Sequence, residues 1–310
     1  MKRYLIYFQV VIFILFAAGC IRMAQAPLDA EDSRIAAQLG CKESTLGQLK
    51  YKPTYRMKPE QVDRYLAYLK LKEPNLQKRI VHLARKNLGQ PYQIYLLGEY
   101  PYELYDRQPL YCLEKSDCVV FTEHTLAMAL SGNWSQFFRT LQRIRYKNGE
   151  IGMLTRNHYT IADWDRNNAW LLKDITREVG GDRTAELRQT VRRANFFKKH
   201  GIGQDIPPQD VIDCFVPREV ILDNLDRLQA GDVVNVIRGG EKSQYAGHVG
   251  MITKGPQGET YFLHSTPPQV REEPLPEYLE RTKKRTLGMK FLRPRFDELA
   301  DFNSVTFSQK

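Results

Sequence analysis

The chain has 310 residues, a length that allows one or two domains. Its 42% apolar and 26% charged residues exclude a disordered, collagenous or coiled-coil chain. Lys and Arg outnumber Asp and Glu by 46 to 36, so the formal net charge is +10, and scattered Gly and Pro imply a turn-rich, mixed α/β chain.

Residues 1–19 are not fold. Lys2 and Arg3 precede an almost wholly apolar run, Tyr4 to Ala18. The run is shorter than the roughly 20 residues a membrane span needs. It is the length of the apolar part of a secretory signal. It ends in Ala17-Ala18-Gly19-Cys20, which resembles a bacterial lipoprotein box with Cys20 as the lipidated new N-terminus. Ile21, rather than Asp, after the Cys resembles the outer-membrane pattern of enteric-type bacteria. An uncleaved anchor or a plain export signal is the alternative. Loss of residues 1–19 removes two positive charges and no negative ones, leaving +8. An exported basic protein meets anionic lipids and wall polymers on the periplasmic side of a membrane. No long Lys/Arg run or RNA-binding aromatic motif points to nucleic acid.

Residues 20–57 form a linker or helical lead-in, with a helix candidate over 30–39. The catalytic domain is expected over 58–300, with a tail over 301–310. Val62, Tyr65, Leu66 and Leu69 stand at helical spacing within 60–72. Pro74 breaks that run, a second helix follows through Ile80, Leu83, Ala84 and Leu88, and Gly89-Gln90-Pro91 stops it. Residues 91–116 read as a long tyrosine-rich loop. Residues 118–130 are apolar nearly all round, as in a buried helix, with Ser116 or Asp117 as its cap. An amphipathic helix follows over 134–145. Short strands are expected at 158–164, 169–176, 232–237, 248–253, 260–264 and 288–292, and a helix over 217–228. Helices first and strands afterwards predict an α+β fold with a mostly antiparallel sheet.

The chemistry centres on Cys118. A helix N-terminus lowers a thiol pKa, and its free N–H groups can bind an oxyanion. The other cysteines are Cys20, Cys41, Cys112 and Cys214. Without Cys20 and a nucleophile, one disulfide at most remains possible, and Cys112 could instead pair with Cys118. Of six histidines, His124 lies on the far side of the Cys118 helix. His248 and His264 fall on two strands joined by a Lys254–Gly258 turn, which can bring both rings to one edge. That arrangement supplies a thiol, a base and a group that orients the base. No cofactor is needed. A zinc set of His248, His264, His158 and Asp163 is the competing chemistry.

Leu88-Gly89-Gln90-Pro91-Tyr92, Asp117-Cys118, Leu228-Gln229-Ala230-Gly231-Asp232-Val233-Val234, Gly247-His248-Val249-Gly250-Met251-Ile252 and Leu263-His264 occur in order. The series, spanning about residues 76–293, resembles the NlpC/p60-type papain-like cell-wall cysteine hydrolases. The resemblance implies a papain-like core of N-terminal helices packed on the sheet. It implies Cys118 as nucleophile, His248 as general base, His264 as the third polar residue, and Tyr92 facing the cleft. The pattern departs from the family at Val119-Val120, where Ser-Gly is usual, and lacks Trp-Gly-Gly after Pro-Tyr. Those positions help family members bind peptides beside D-Glu, so that specificity is in doubt.

An insert is expected over about 150–215. Its Arg156, His158-Tyr159, Asp163-Trp164, Asp174-Ile175-Thr176-Arg177 and Gly180-Gly181 resemble the N-acetylmuramoyl-L-alanine amidase-like branch. The implied reaction is hydrolysis of the amide between N-acetylmuramic acid, including its anhydro form, and the L-alanine of the stem peptide. The implied partners are peptidoglycan or muropeptide fragments, and a membrane reached through lipid on Cys20. Trp164 and the loop tyrosines can stack on sugar faces, Arg156 can pair with a stem carboxylate, and His158 is the insert's strongest candidate for substrate contact. A stem-peptide endopeptidase with the same triad and a non-catalytic wall-binding lipoprotein are the alternatives.

Overall fold

The computed structural model describes residues 28–240 and 243–299. Cys20 and its export segment lie outside the described residues.

Among the described residues of the first half stand six α-helices: α1 (Ala30–Gln38), α2 (Glu43–Tyr51), α3 (Pro59–Lys72), α4 (Leu76–Lys86), α5 (Cys118–Leu130) and α6 (Trp134–Arg145). Local chemistry sets their starts. Asp29, Asn75, Asp117 and Asn133 each accept a backbone N–H in the first turn of α1, α4, α5 and α6. Residues 20–57 therefore include a helical lead-in. Ile35, Ala36, Leu46 and Leu49 from α1 and α2 join the same core as α3 and α5.

The second half supplies eight strands: β1 (Leu172–Asp174), β2 (Ala185–Val191), β3 (Gln209–Pro217), β4 (Val233–Gly240), β5 (Ser243–Lys254), β6 (Thr260–Thr266), β7 (Gln269–Pro274) and β8 (Gly288–Pro294). They form one sheet in the order β2-β3-β8-β4-β5-β6-β7, with β1 also on β8. Every pairing is antiparallel. The fold is thus α+β, as expected. Side chains alternate across the pleat. Val233, Val249, Met251 and Leu263 pack with α4, α5 and α6. Val234, Ile252, Phe262 and Phe291 pack on the other face with three short helices, Thr176–Gly180, Arg218–Leu222 and Leu275–Arg281.

Three expectations change. Residues 158–164 are not a strand: Thr160–Trp164 form a wide helical turn, because Ile161, Ala162 and Trp164 all turn inward. The helix expected over 217–228 ends at Leu222, and Leu225–Arg227 continue only as a 3-10 turn. The strand expected over 169–176 is confined to β1, which hydrogen-bonds to β8, the neighbour of β4.

Candidate active site

Cys118 is the first residue of α5. Asp117 caps the helix, its Oδ1 accepting from Val119 N at 2.9 Å and Val120 N at 2.8 Å. The thiol packs in the core beside β5, where the N–H of Val249 donates to it. The expected lowering of its pKa does not occur. Burial, and then the negative charge of Asp117, push the thiol up to about 12, outweighing the N–H groups of Val249 and Val119. The helix terminus cannot offset both the desolvation of the thiol and the negative charge of its own cap.

Strands β5 and β6 bring the two histidines together. His248 Nε2 and His264 Nδ1 are 2.7 Å apart. The second nitrogen of His264, Nε2, lies 2.8 Å from Glu273 Oε1 on β7. Arg281 grips both oxygens of Glu273 at 2.7 Å, and Arg271 Nε reaches Oε1 at 3.2 Å. Phe262 stacks on His264 with centroids 4.5 Å apart, and Tyr278 closes its edge. Both imidazoles stay neutral. Burial, then neighbouring positive charge, holds His248 well below 6.5. Burial also lowers His264, against the pull of Glu273. Among the described residues, neither histidine hydrogen-bonds to Cys118. His248 packs against Phe262, and Val249, the next residue, faces α5 and meets the sulfur.

A cleft of about 300 Å³ opens beside this point. Its lining includes Asp117, Val119 and Val249, the neighbours of Cys118 and His248, together with Arg156, His158 and Phe196. Arg156 pairs with Glu99 and Asp106, both at 3.4 Å. His158 Nε2 bonds the Met153 carbonyl at 2.7 Å, its ring lies 4.6 Å from Phe196, and burial pushes its pKa down to about 4. Trp164 is not an open stacking platform. It is 3% exposed, and its indole N–H donates to Glu123 at 2.9 Å. Exposed aromatic surface lies instead on the 91–116 loop, at Tyr95, Tyr100, Tyr102 and Tyr105. Tyr92 lies close enough to Cys118 and Asp117 to feel them electrostatically, and burial first, then the Asp117 charge, push its phenol up.

A family model described as AmiA-like, N-acetylmuramoyl-L-alanine amidase-like, matches residues 82–289, more than half of the chain. The chain belongs to the AmiA-like family. The matched span contains Cys118, His248, His264 and Glu273. Among solved structures, the amidase-like chain resembles protein LPG0564 of Legionella pneumophila, at 20% identity and a TM-score of 0.69, over 76% of this chain and 94% of that one. It also resembles an N-acetylmuramoyl-L-alanine amidase of Bacteroides uniformis, at 24% and 0.56, over 71% and 98%. A Bacteroides fragilis protein named as a xylanase candidate matches at 23% and 0.54, over 68% and 98%. These likenesses establish a shared fold. Among curated proteins nothing matches.

Other expected residues of this amidase-like chain fall elsewhere. His124 is buried, with Nδ1 2.9 Å from the Val120 carbonyl, and has no path to the thiol. The zinc set does not assemble. Asp163 pairs with Arg193, His158 sits among Phe196 and Phe197, and the remaining two histidines bond each other. Cys41, Cys112, Cys118 and Cys214 are all free thiols. Sequence reasoning missed Glu273, which stands in the charged run Arg271-Glu272-Glu273 and reads as solvated surface. It also missed Glu123 and Arg145, which face each other at 3.7 Å under the cleft, although a lone Glu in the otherwise apolar α5 is a detectable signal.

Proposed function

We propose that the chain is a cysteine-dependent peptidoglycan amidase that hydrolyses the amide between N-acetylmuramic acid, including its anhydro form, and the L-alanine of the stem peptide. The observation that carries this reading is the juxtaposition of a helix-starting Cys118, the His248–His264 pair and an adjoining cleft, within an AmiA-like chain. The family description, and the name of the Bacteroides uniformis neighbour, support this choice of bond.

In this mechanism the Cys118 proton moves to His248 as Sγ attacks the amide carbonyl. The Cys118 N–H at the start of α5, with Tyr92 beside it, stabilises the oxyanion. Protonated His248 then gives its proton to the leaving amine, and water hydrolyses the thioester. A neutral base and a protonated thiol suit this order, because no ion pair needs to exist before the substrate arrives. Arg156 contacts the substrate through its exposed edge, His158 and Trp164 shape the cleft, and the papain-like arrangement of the NlpC/p60 hydrolases describes the core. The chain is exported, lipidated on Cys20 and held on the periplasmic side of the outer membrane.

Purified protein incubated with muropeptides and followed by mass spectrometry tests the reading. Free stem peptide and intact sugar are the expected products, absent with Cys118→Ala. Cleavage within the stem peptide would replace the amidase reading by an endopeptidase. Binding without turnover in the wild type would make the chain a wall-binding lipoprotein.

A further inference from the structure

We propose that Glu273 is a positioning residue that sets the direction of protonation in the catalytic histidine pair and leaves His248 Nδ1 as the free base. The inference rests on the cysteine-hydrolase reading of the same site.

The argument follows the hydrogen bonds outward. A carboxylate can only accept, so the 2.8 Å contact between Glu273 Oε1 and His264 Nε2 requires a proton on Nε2. A neutral imidazole carries one proton, so His264 Nδ1 has none and must accept. Its partner at 2.7 Å is His248 Nε2, which therefore donates. His248 is also neutral, so its Nδ1 carries the lone pair. That nitrogen is the one able to receive the Cys118 proton.

The device needs Glu273 to stay ionised. Burial raises its pKa, but hydrogen bonds from His264 and Arg281 outweigh that and hold it at about 2. Arg271 adds a third donor. Phe262 and Tyr278 hold the His264 ring so that it cannot rotate out of line. When His248 takes the thiol proton, its positive charge faces His264 Nδ1 and, beyond it, the Glu273 carboxylate. That charge disappears when Nδ1–H passes to the leaving nitrogen as the C–N bond breaks.

The test combines spectroscopy with kinetics. In wild-type protein labelled with ¹⁵N-histidine, both residues should show the Nε2–H tautomer at neutral pH. An Nδ1–H signal from His248 would overturn the proposal. Glu273→Ala should lower kcat by about 10- to 100-fold, the range seen when the carboxylate orienting a metal-bound histidine is removed. KM for muropeptide should stay within about twofold, because Glu273 does not line the cleft. Glu273→Gln keeps one carbonyl acceptor and should recover part of kcat. An unchanged kcat in Glu273→Ala, alongside an inactive Cys118→Ala, would overturn the role of Glu273 alone. An active Cys118→Ala would overturn the cysteine reading beneath it.

Discussion

In the proposed mechanism the proton on Cys118 decides how the site works. Many reactive cysteines are thiolates at rest, paired with a charged histidine. Here burial and Asp117 keep the thiol protonated, and burial keeps His248 neutral. The consequence is low intrinsic thiol reactivity. At pH 7, alkylation of Cys118 by iodoacetamide should be slower than that of a free cysteine, and it should rise as pH passes the ordinary thiol value of 9. Asp117→Asn should move this profile to lower pH. The amide oxygen can still cap Val119 and Val120, while the charge beside the sulfur is gone. Peptide-resolved mass spectrometry separates Cys118 from Cys41, Cys112 and Cys214. Superimposed profiles would mean that the Asp117 charge does not reach the thiol. That His248 and His264 meet was legible in the sequence, because a short Lys254–Gly258 turn joins their strands, and so was the Asp117 cap that starts the Cys118 helix. The electrostatics were not, because desolvation depends on packing that no local pattern encodes.

At the scale of elements, the β5–β6 hairpin aligns the relay, and Gly250 is its tightest point. A Cβ at Gly250 would stand 2.5 Å from Phe262 Cε2 and 2.8 Å from His264 Cβ. Those contacts belong to the ring that stacks on His264 and to the histidine itself, so the strands could not relax without moving the relay. Gly250→Ala should cost about 1–3 kcal/mol of stability, the range for overpacking. It should also lower kcat at temperatures well below unfolding. A melt shift with undiminished kcat would show that the hairpin tolerates the displacement. Helices α3 and α6 were legible because Val62, Tyr65, Leu66 and Leu69, or Phe137, Leu141 and Ile144, repeat at the helical period, whereas α2 was not. Strands β4, β5, β6 and β8 were legible from Val-rich or aromatic runs. Strands β2, β3 and β7 were not. Glu186, Arg188, Arg271 and Glu273 read as solvated loop, because an edge strand needs few apolar residues. The same polarity hid Glu273, whose role depends on a cross-strand pairing of His264 with Arg271 that is visible only in the register.

Across the whole molecule, the lead-in helices are tied to the catalytic body by a buried charge. Asp32 on α1 is fully buried and hydrogen-bonds to Tyr68 on α3 at 2.9 Å, to Lys50 on α2, and ion-pairs with Lys72 at 3.2 Å. Burial alone would raise its pKa, but the lysines and Tyr68 bring it down from 3.8 to about 2. Below an unfolded value of 3.8 the unfolded chain binds the proton first. The stabilisation from this carboxylate is therefore complete above that pH and is lost as pH falls towards 2. Asp32→Asn leaves Lys50 and Lys72 without their buried partner. At pH 7 it should destabilise the protein by about 3 kcal/mol, the lower end for a broken buried pair. The partial exposure of both lysines favours that lower end. Urea unfolding of wild type and variant at a series of pH values checks the sign. The gap between them should be constant from pH 7 to about 5 and should close between 3.8 and 2. A gap that persists to pH 2 would assign the stabilisation to shape and neutral hydrogen bonds rather than to charge. A single cooperative transition in the wild type, moved as a whole by Asp32→Asn, would show that the lead-in unfolds with the sheet that carries His248 and His264.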